Sequence, residues 1–298
     1  MSIQILPSIL LNGLAMGMIY ALMAMGIIIL VRAIGLLNFA QGDFLMLGAY
    51  ISVWLLQDIR LPLWAAIPVG LISFALVGLI FMLLIYFPLR KASYPAAMVI
   101  ATIGTSIVLK ELVTLIWGSW PRPMDPILKN EETGGGMILQ IGNVSLQWQM
   151  IIVVLVGAVA IFLIYNLFER MYAGKMMEAA AQDSYAAELL GIPTLITVAA
   201  SYVISIMLAS IGGYLVAPMF TVSTTLGTLQ LRAFAGVIIG GLDNIKGAVI
   251  GSLIIGIWEA FSSVWFQEYK DAAVFLMLLI FLIFRPQGII KTKIADKA

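Results

Sequence analysis

What this chain can fold into is decided by its apolar runs. Residues 9–31 carry no charge, and the run closes at Arg32. An uncharged stretch of that length matches the roughly 20 residues a helix needs to cross the hydrocarbon core of a bilayer. Comparable runs follow at 36–56, 63–87, 96–117, 150–168, 194–218, 248–266 and 272–284. The segment 232–243 holds only about a dozen apolar residues, too few for a span, and suits a half-helix or a re-entrant piece. Composition agrees: 62% of the residues are hydrophobic and 10% charged, where a soluble domain carries about a quarter charged. The expectation is an all-α integral membrane protein of about eight transmembrane helices plus short intramembrane helices, with residues 1–298 forming one domain.

The long polar segment, 118–149, breaks the series. Its "WPRPMDP" is too rich in proline for a helix. "GGGMILQIGNVSLQWQ" alternates apolar and polar residues about Gly142-Asn143, which predicts a small β-hairpin. A second polar segment, 169–193, contains "KMMEAAAQDSYAAELLGIP", a run of helix formers stopped by Gly191 and Pro193. It predicts one surface helix on which Ala180, Ala187 and Leu190 share a face. Such a small-residue face suits either close docking of another protein or an ordinary surface helix.

Lys and Arg set the orientation. Arg32, Arg90, Lys91, Arg170, Lys175, Arg285, Lys291, Lys293 and Lys297 fall in loops of one side, and Arg60, Arg122, Lys129 and Lys270 in loops of the other. Nine against four makes the first side cytoplasmic. The N-terminus then lies outside and the C-terminus inside, with 118–149 extracytoplasmic and 169–193 cytoplasmic. No Lys or Arg precedes Arg32, so the first run lacks the basic flank of a signal peptide and reads as a retained span. A net charge of +1 with no basic face argues against nucleic acid as a partner. The chain has no Cys and no His, which excludes disulfides, thiolate metal sites and histidine proton relays.

Ionisable residues inside spans are expensive and mark functional candidates. Here they are Asp43, Lys110, Glu111, Asp243 and Glu259. Lys110 and Glu111 are read as reaching the outer interface. Glu259 lies in mid-run without a local partner and serves either to hold helices together or to act in transport. The stretch "GLLNFAQGDFLMLGAY" raises the same question, since Asn38, Gln41 and Asp43 begin an apolar run. If Arg32 is cytoplasmic, these residues occupy the first turns of an inward-to-outward helix. Asn38 is placed to cap it, and Asp43 profits from the positive end of its dipole. Asn38, Gln41 and Gly42 then either pack against neighbouring helices or gate a pathway.

Three stretches together, "GLLNFAQGDFLMLGAY", "LRAFAGVIIGGLDNIKGAVIGSLIIGIWE" and "EYKDAAVFLMLLIFLIFRPQGI", resemble the permease subunits of branched-chain amino acid ABC transporters, the LivH type. The resemblance implies a bundle of about eight spanning helices in a bacterial or archaeal cytoplasmic (inner) membrane. It also implies a complex with a second, homologous permease, two cytoplasmic ATPases that bind the ATP and magnesium, and an extracytoplasmic binding protein. No cofactor is implied for this chain, which has no Walker A sequence. In related importers a cytoplasmic Glu-Ala-Ala…Gly loop couples to the ATPase. Glu178, Ala179, Ala180 and Gly191 echo that pattern, with Asp183 and Ala187 in the same loop, although the glycine falls later than usual.

The function expected is import of an aliphatic amino acid by alternating access, driven by ATP hydrolysis in partner chains. A urea or short-amide permease shares the Asn-Phe-Ala-Gln-Gly motif and is the alternative within the class. An ion-coupled secondary transporter using Asp43 or Glu259 is the alternative outside it. An intramembrane enzyme finds no support: "GGLDN" has Leu242 where the aspartyl proteases of membranes carry a second glycine.

Overall fold

The computed structural model describes residues 6–35, 37–90, 95–128, 135–141, 144–242 and 244–290. Asp243, the Gly142-Asn143 turn, Lys91, Lys129 and the basic residues after 290 lie outside the described residues. The helices are α1 (Leu6–Ile34), α2 (Gln41–Val53), α3 (Leu63–Phe81), α4 (Phe87–Leu89), α5 (Pro95–Trp117), α6 (Trp148–Glu169), α7 (Tyr172–Gln182), α8 (Ser184–Leu189), α9 (Thr194–Val216), α10 (Leu229–Gly240), α11 (Ile245–Trp265) and α12 (Lys270–Phe284). A π turn, Trp54–Asp58, extends α2, and another, Met82–Tyr86, joins α3 to α4. Six helices among the described residues are long and apolar enough to cross a membrane: Leu6–Ile34, Leu63–Leu89, Ala96–Trp117, Trp148–Glu169, Thr194–Val216 and Ile245–Trp265.

Helix α1 is the axis of the bundle. It is apolar on every side, and almost every side chain from Ala15 to Leu30 is fully buried, as expected of a helix surrounded by others. In lipid there is no hydrophobic drive between helices, so close contact must come from small residues. Gly13 and Gly17 supply it on α1, and Gly256 faces them from α11. A Cβ on Gly13 would stand 2.8 Å from the Ile257 Cα, and one on Gly256 would collide with the Gly17 backbone. On the other flank Gly48 of α2 and Gly213 of α9 let those helices touch backbone to backbone. Helices α3, α5 and α6 form the outer ring, with Ile72, Ile100, Leu115, Phe162 and Leu163 exposed.

Two elements differ from the sequence expectation. The second helix begins at Gln41 and not near residue 36. Gly35 ends α1 with φ +72°, and 37–40 runs back into the bundle without helical structure. Its N-cap is Ala40, so Asn38 is not the helix cap; its Oδ1 accepts the Ala40 N–H at 3.0 Å, one turn earlier. The surface helix of 169–193 is two helices, because Asp183 adopts an extended backbone and caps α8 by accepting from the N–H groups of Tyr185 and Ala186 at 2.9 and 3.0 Å. The face shared by Ala180, Ala187 and Leu190 is split as a result. Ala180 and Ala187 are buried against the bundle while Leu190 is 81% exposed.

The segment expected as a half-helix or a re-entrant piece holds a short helix, Leu229–Gly240. Helix α10 has 12 residues, about 18 Å at 1.5 Å per residue. Its last carbonyls need donors in an apolar setting. The "RPQG" turn after α12 supplies them: the N–H groups of Ile289 and Ile290 donate to Ile239 and Gly240 at 2.8 and 3.3 Å. The turn fits because Gly288 (φ +77°) rests on Gly241 (φ +109°), both in conformations that side chains disfavour.

Charged loops sort to two ends. At one, Arg32 of α1 lies 3.9 Å from Glu169 of α6, and the Lys246 ammonium sits over the Tyr165 ring. At the other, Arg122 makes a two-pronged pair with Asp58 and bridges backbone to backbone with Val222. Strands β1 (Ile138–Ile141) and β2 (Val144–Gln147) form the antiparallel hairpin, pairing Ile138 with Gln147 and Ile141 with Val144.

The α1–α11 contact leaves no room for a side chain. Gly256→Leu is expected to destabilise the protein by about 3 kcal/mol or more, read as a lowered unfolding temperature in detergent. Gly104→Leu, with nothing within 4 Å of the added Cβ, is expected to leave that temperature unchanged.

Candidate functional site

The start of α2 is the centre of the molecule's polar chemistry. Gln41 is fully buried, and Asn38 and Asp43 are 3% exposed. Gln41 and Asp43 sit in the first turn of α2 and Asn38 just before it, but that turn lies halfway along the bundle, level with the middle of α9, and not at its end as the sequence reading placed it. Gln41 donates through Nε2 to the Ser205 carbonyl at 3.0 Å, and its Oε1 accepts from Asn38 Nδ2 and the Ser205 hydroxyl, both at 3.3 Å. The Ser205 hydroxyl lies 2.8 Å from the Gly26 carbonyl.

A second helix start meets the first. A 3-10 turn, Thr224–Thr228, leads into α10 beside Gly42. Gln230 accepts the Gly42 N–H on Oε1 at 2.5 Å and donates to the Asn38 carbonyl at 3.3 Å. Gly42 and Gly227 are in backbone contact here. Orphan N–H groups at a helix start must be satisfied, and the glutamine amide of one half-structure serves the other. Asn38, Gln41, Ser205 and Gln230 thus tie α1, α2, α9 and α10 into one closed network.

Asp43 lies between this turn and α5, its Oδ1 packed beside Gly227. It is the acidic residue in the first turn of α2, where the helix dipole favours a negative charge. The Lys110 ammonium of α5 stands 3.6 Å from its Oδ1, and the Ser106 hydroxyl lies beside it. Lys110 therefore turns toward α2 and does not reach for the end of its helix as expected.

Glu259 belongs to a different cluster and is not without a partner. It accepts from the Tyr20 hydroxyl at 2.5 Å and lies 3.2 Å from Arg232 Nε. Arg232 also pairs with Asp271 at the start of α12. The four residues join α1, α10, α11 and α12. Asp43 and Glu259 share no partner among the described residues.

Sequence reasoning singled out Asn38, Gln41, Gly42, Asp43 and Glu259, and the structure gathers the first four at one point. It missed Ser205, Gln230, Arg232 and Tyr20. The only signal for Gln230 and Arg232 was two polar residues in a segment too short to span. Tyr20 and Ser205 are ordinary residues of apolar helices and gave none. In the polar segment Glu178 is exposed, Ala179 half-buried, and Asp183 and Gly191 exposed, with Gly191 at φ +82°. The apolar and aromatic side chains more than 70% exposed there are Tyr172, Tyr185, Leu189 and Leu190.

Long apolar helices around a buried axis, broken by half-helices whose starts meet inside, define a multi-pass membrane protein of the transport class. Residues 9–284 match the family described as branched-chain amino acid transport system / permease component, and the chain belongs to that family. It is 30% identical over 290 residues to the high-affinity branched-chain amino acid transport system permease protein LivH of Salmonella typhimurium, covering 94% of this chain and 93% of that one. The BraD permease of Pseudomonas aeruginosa is also 30% identical, with 94% of each chain covered. LivM of Salmonella typhimurium, a second permease protein of such a system, is 27% identical over 92% of this chain and 68% of its own.

Breaking a buried charge pair by removing one partner costs about 3–5 kcal/mol, more than removing both. Arg232→Met is therefore expected to lower the denaturant midpoint strongly. Adding Glu259→Gln to it should recover most of the loss, because the buried charge then disappears with its partner.

Proposed function

We propose that this chain is the membrane permease subunit of an ATP-driven importer for branched-chain aliphatic amino acids. The observation that carries the reading is the match over nearly the full length to permeases of that name. The likeness to LivM as well as LivH supports a heterodimer with a second, homologous permease. Two cytoplasmic ATPases and an extracytoplasmic binding protein complete the complex. The chain performs transport, and ATP with its magnesium is bound by the partner ATPases.

The membrane topology follows from the charge count. Eight crossing segments result when 37–58, which enters as the non-helical run 37–40, and α12 are added to the six long helices, with α10 as the intramembrane half-helix. The end holding Arg32, Glu169 and Lys246 is cytoplasmic, and the hairpin with the Asp58–Arg122 pair faces outward. Exposed Trp64, Trp120 and Trp265 then lie near the outer interface, where tryptophan anchors are favoured.

The mechanism is alternating access. Helices α7 and α8 form the coupling loop that includes Glu178, Ala179, Ala180, Asp183, Ala187 and Gly191. Buried Ala180 and Ala187 fix the loop to α9, and Tyr185, Leu189 and Leu190 project toward the ATPase. A movement received there passes to α9, whose Ser205 holds the start of α2. Substrate moves along the face where α2, α5 and α10 approach one another, with Asn38, Gln41 and Gly42 positioning that face and Asp43 on it.

ATP-dependent leucine uptake by membrane vesicles containing the complete set of subunits tests the reading. Uptake is expected to vanish when this subunit is omitted, and undiminished uptake without it overturns the assignment. Leu190→Asp is expected to abolish uptake while the permease pair still forms, measured by co-purification and transport in the same vesicles.

A further inference from the structure

The two intramembrane charge clusters are closed to different degrees. Glu259 is gripped by Tyr20 and Arg232, and Arg232 in turn by Asp271. Asp43 is buried as deeply, yet its Oδ1 receives no hydrogen bond. Lys110 stands at 3.6 Å, outside hydrogen-bond reach, and its side chain is 42% exposed where that of Asp43 is 4% exposed. A lysine so far from the end of an apolar helix does not face lipid; such groups face protein or a watery pathway.

Helix α5 supports that placement. Among its described side chains only Met98, Thr102 and Val113 are buried. Thr102, Ser106 and Lys110 follow one another at four-residue spacing and so form one polar stripe. The stripe is turned to the start of α2, since the Phe39 N–H donates to Thr102 Oγ1 at 3.2 Å and Lys110 reaches Asp43. Phe39, 39% exposed, lies against Phe234 with ring centroids 5.8 Å apart. A carboxylate oxygen without a hydrogen bond and a loosely held ammonium therefore stand together, and an apolar aromatic surface lies about two helical turns along the same stripe.

Resting on the permease reading above, we infer that Asp43 and Lys110 form a transient recognition site for the zwitterionic head group of an amino acid. Asp43 Oδ1 accepts from the α-ammonium, and Lys110 Nζ donates to the α-carboxylate. Insertion of the zwitterion replaces one internal ion pair by two crossed pairs, so neither protein charge is left bare in a poorly solvated site. When the substrate leaves, the pair closes again. Loose pairing suits a subunit that must release what a binding protein delivers.

The test uses the complete transporter in vesicles with leucine-loaded binding protein. Asp43→Asn/Lys110→Met removes both charges, leaves no unpaired ion and so retains assembly with the second permease. The inference expects this assembled complex to lose leucine uptake by about thirtyfold or more, the size typical of losing a desolvated charge contact. Uptake at the wild-type rate makes the pair structural and overturns the assignment. If the double variant does not assemble, Lys110→Cys in this cysteine-free chain decides. Turnover with leucine must slow its modification by a thiol-reactive ethylammonium reagent, and modification must restore uptake where a methyl-transferring reagent does not. Unchanged modification during turnover, or rescue by the methyl reagent, overturns the inference. Wild-type vesicles that take up no branched-chain amino acid would instead refute the permease reading itself.

Discussion

Hydrocarbon offers no hydrogen bonds, so every polar group within the bundle must find its partner in the protein. The start of α2 is where this constraint bites hardest, since a helix that begins inside the bundle presents unsatisfied N–H groups away from water. The chain resolves it with side-chain amides. Gln230 serves the Gly42 N–H, Asn38 serves the Ala40 N–H, and Gln41 is held by Ser205. The opposite problem, the free carbonyls at the end of α10, is resolved by the backbone of Ile289 and Ile290. Glycines at 42, 227, 241 and 288 give the approach these contacts need. Both half-structures are thus bound to the rest of the bundle at defined points.

Charge is distributed on the same principle. The Glu259–Arg232–Tyr20–Asp271 cluster pins four helices and is fully engaged. The Asp43–Lys110 pair is not, and its lysine lies on the weakly covered helix α5. A transporter needs both kinds of intramembrane charge: some that fix the framework and some that exchange partners as cargo passes. Glu259 and Asp43 look alike in the sequence, and only their surroundings separate the two roles.

Most of the helical framework is legible in the sequence because a membrane span is specified by length and apolarity alone. The run of 63–87 became Leu63–Leu89 and that of 96–117 became Pro95–Trp117 with scarcely any shift. The half-helix was legible for the same reason, through its shortness. Asn38 and Gln41 stood out because polar side chains are costly in that setting, but their depth was not legible. It depends on the backward run of 37–40, which no periodicity marks. The break at Asp183 was hidden by strong helix formers on both sides, although an aspartate three residues before Ala186 is a recognisable cap. Tyr20 and Ser205 were illegible, since only long-range packing distinguishes them from other residues of apolar helices.

The central claim is that the intramembrane polar groups fall into a sealed set and an open one. Cysteine accessibility tests it most directly, because the chain contains no native cysteine. In the assembled transporter, Lys110→Cys is expected to react with a membrane-impermeant charged thiol reagent, and Ser205→Cys to stay unmodified under the same conditions. A reactive Ser205→Cys together with a protected Lys110→Cys would contradict the account.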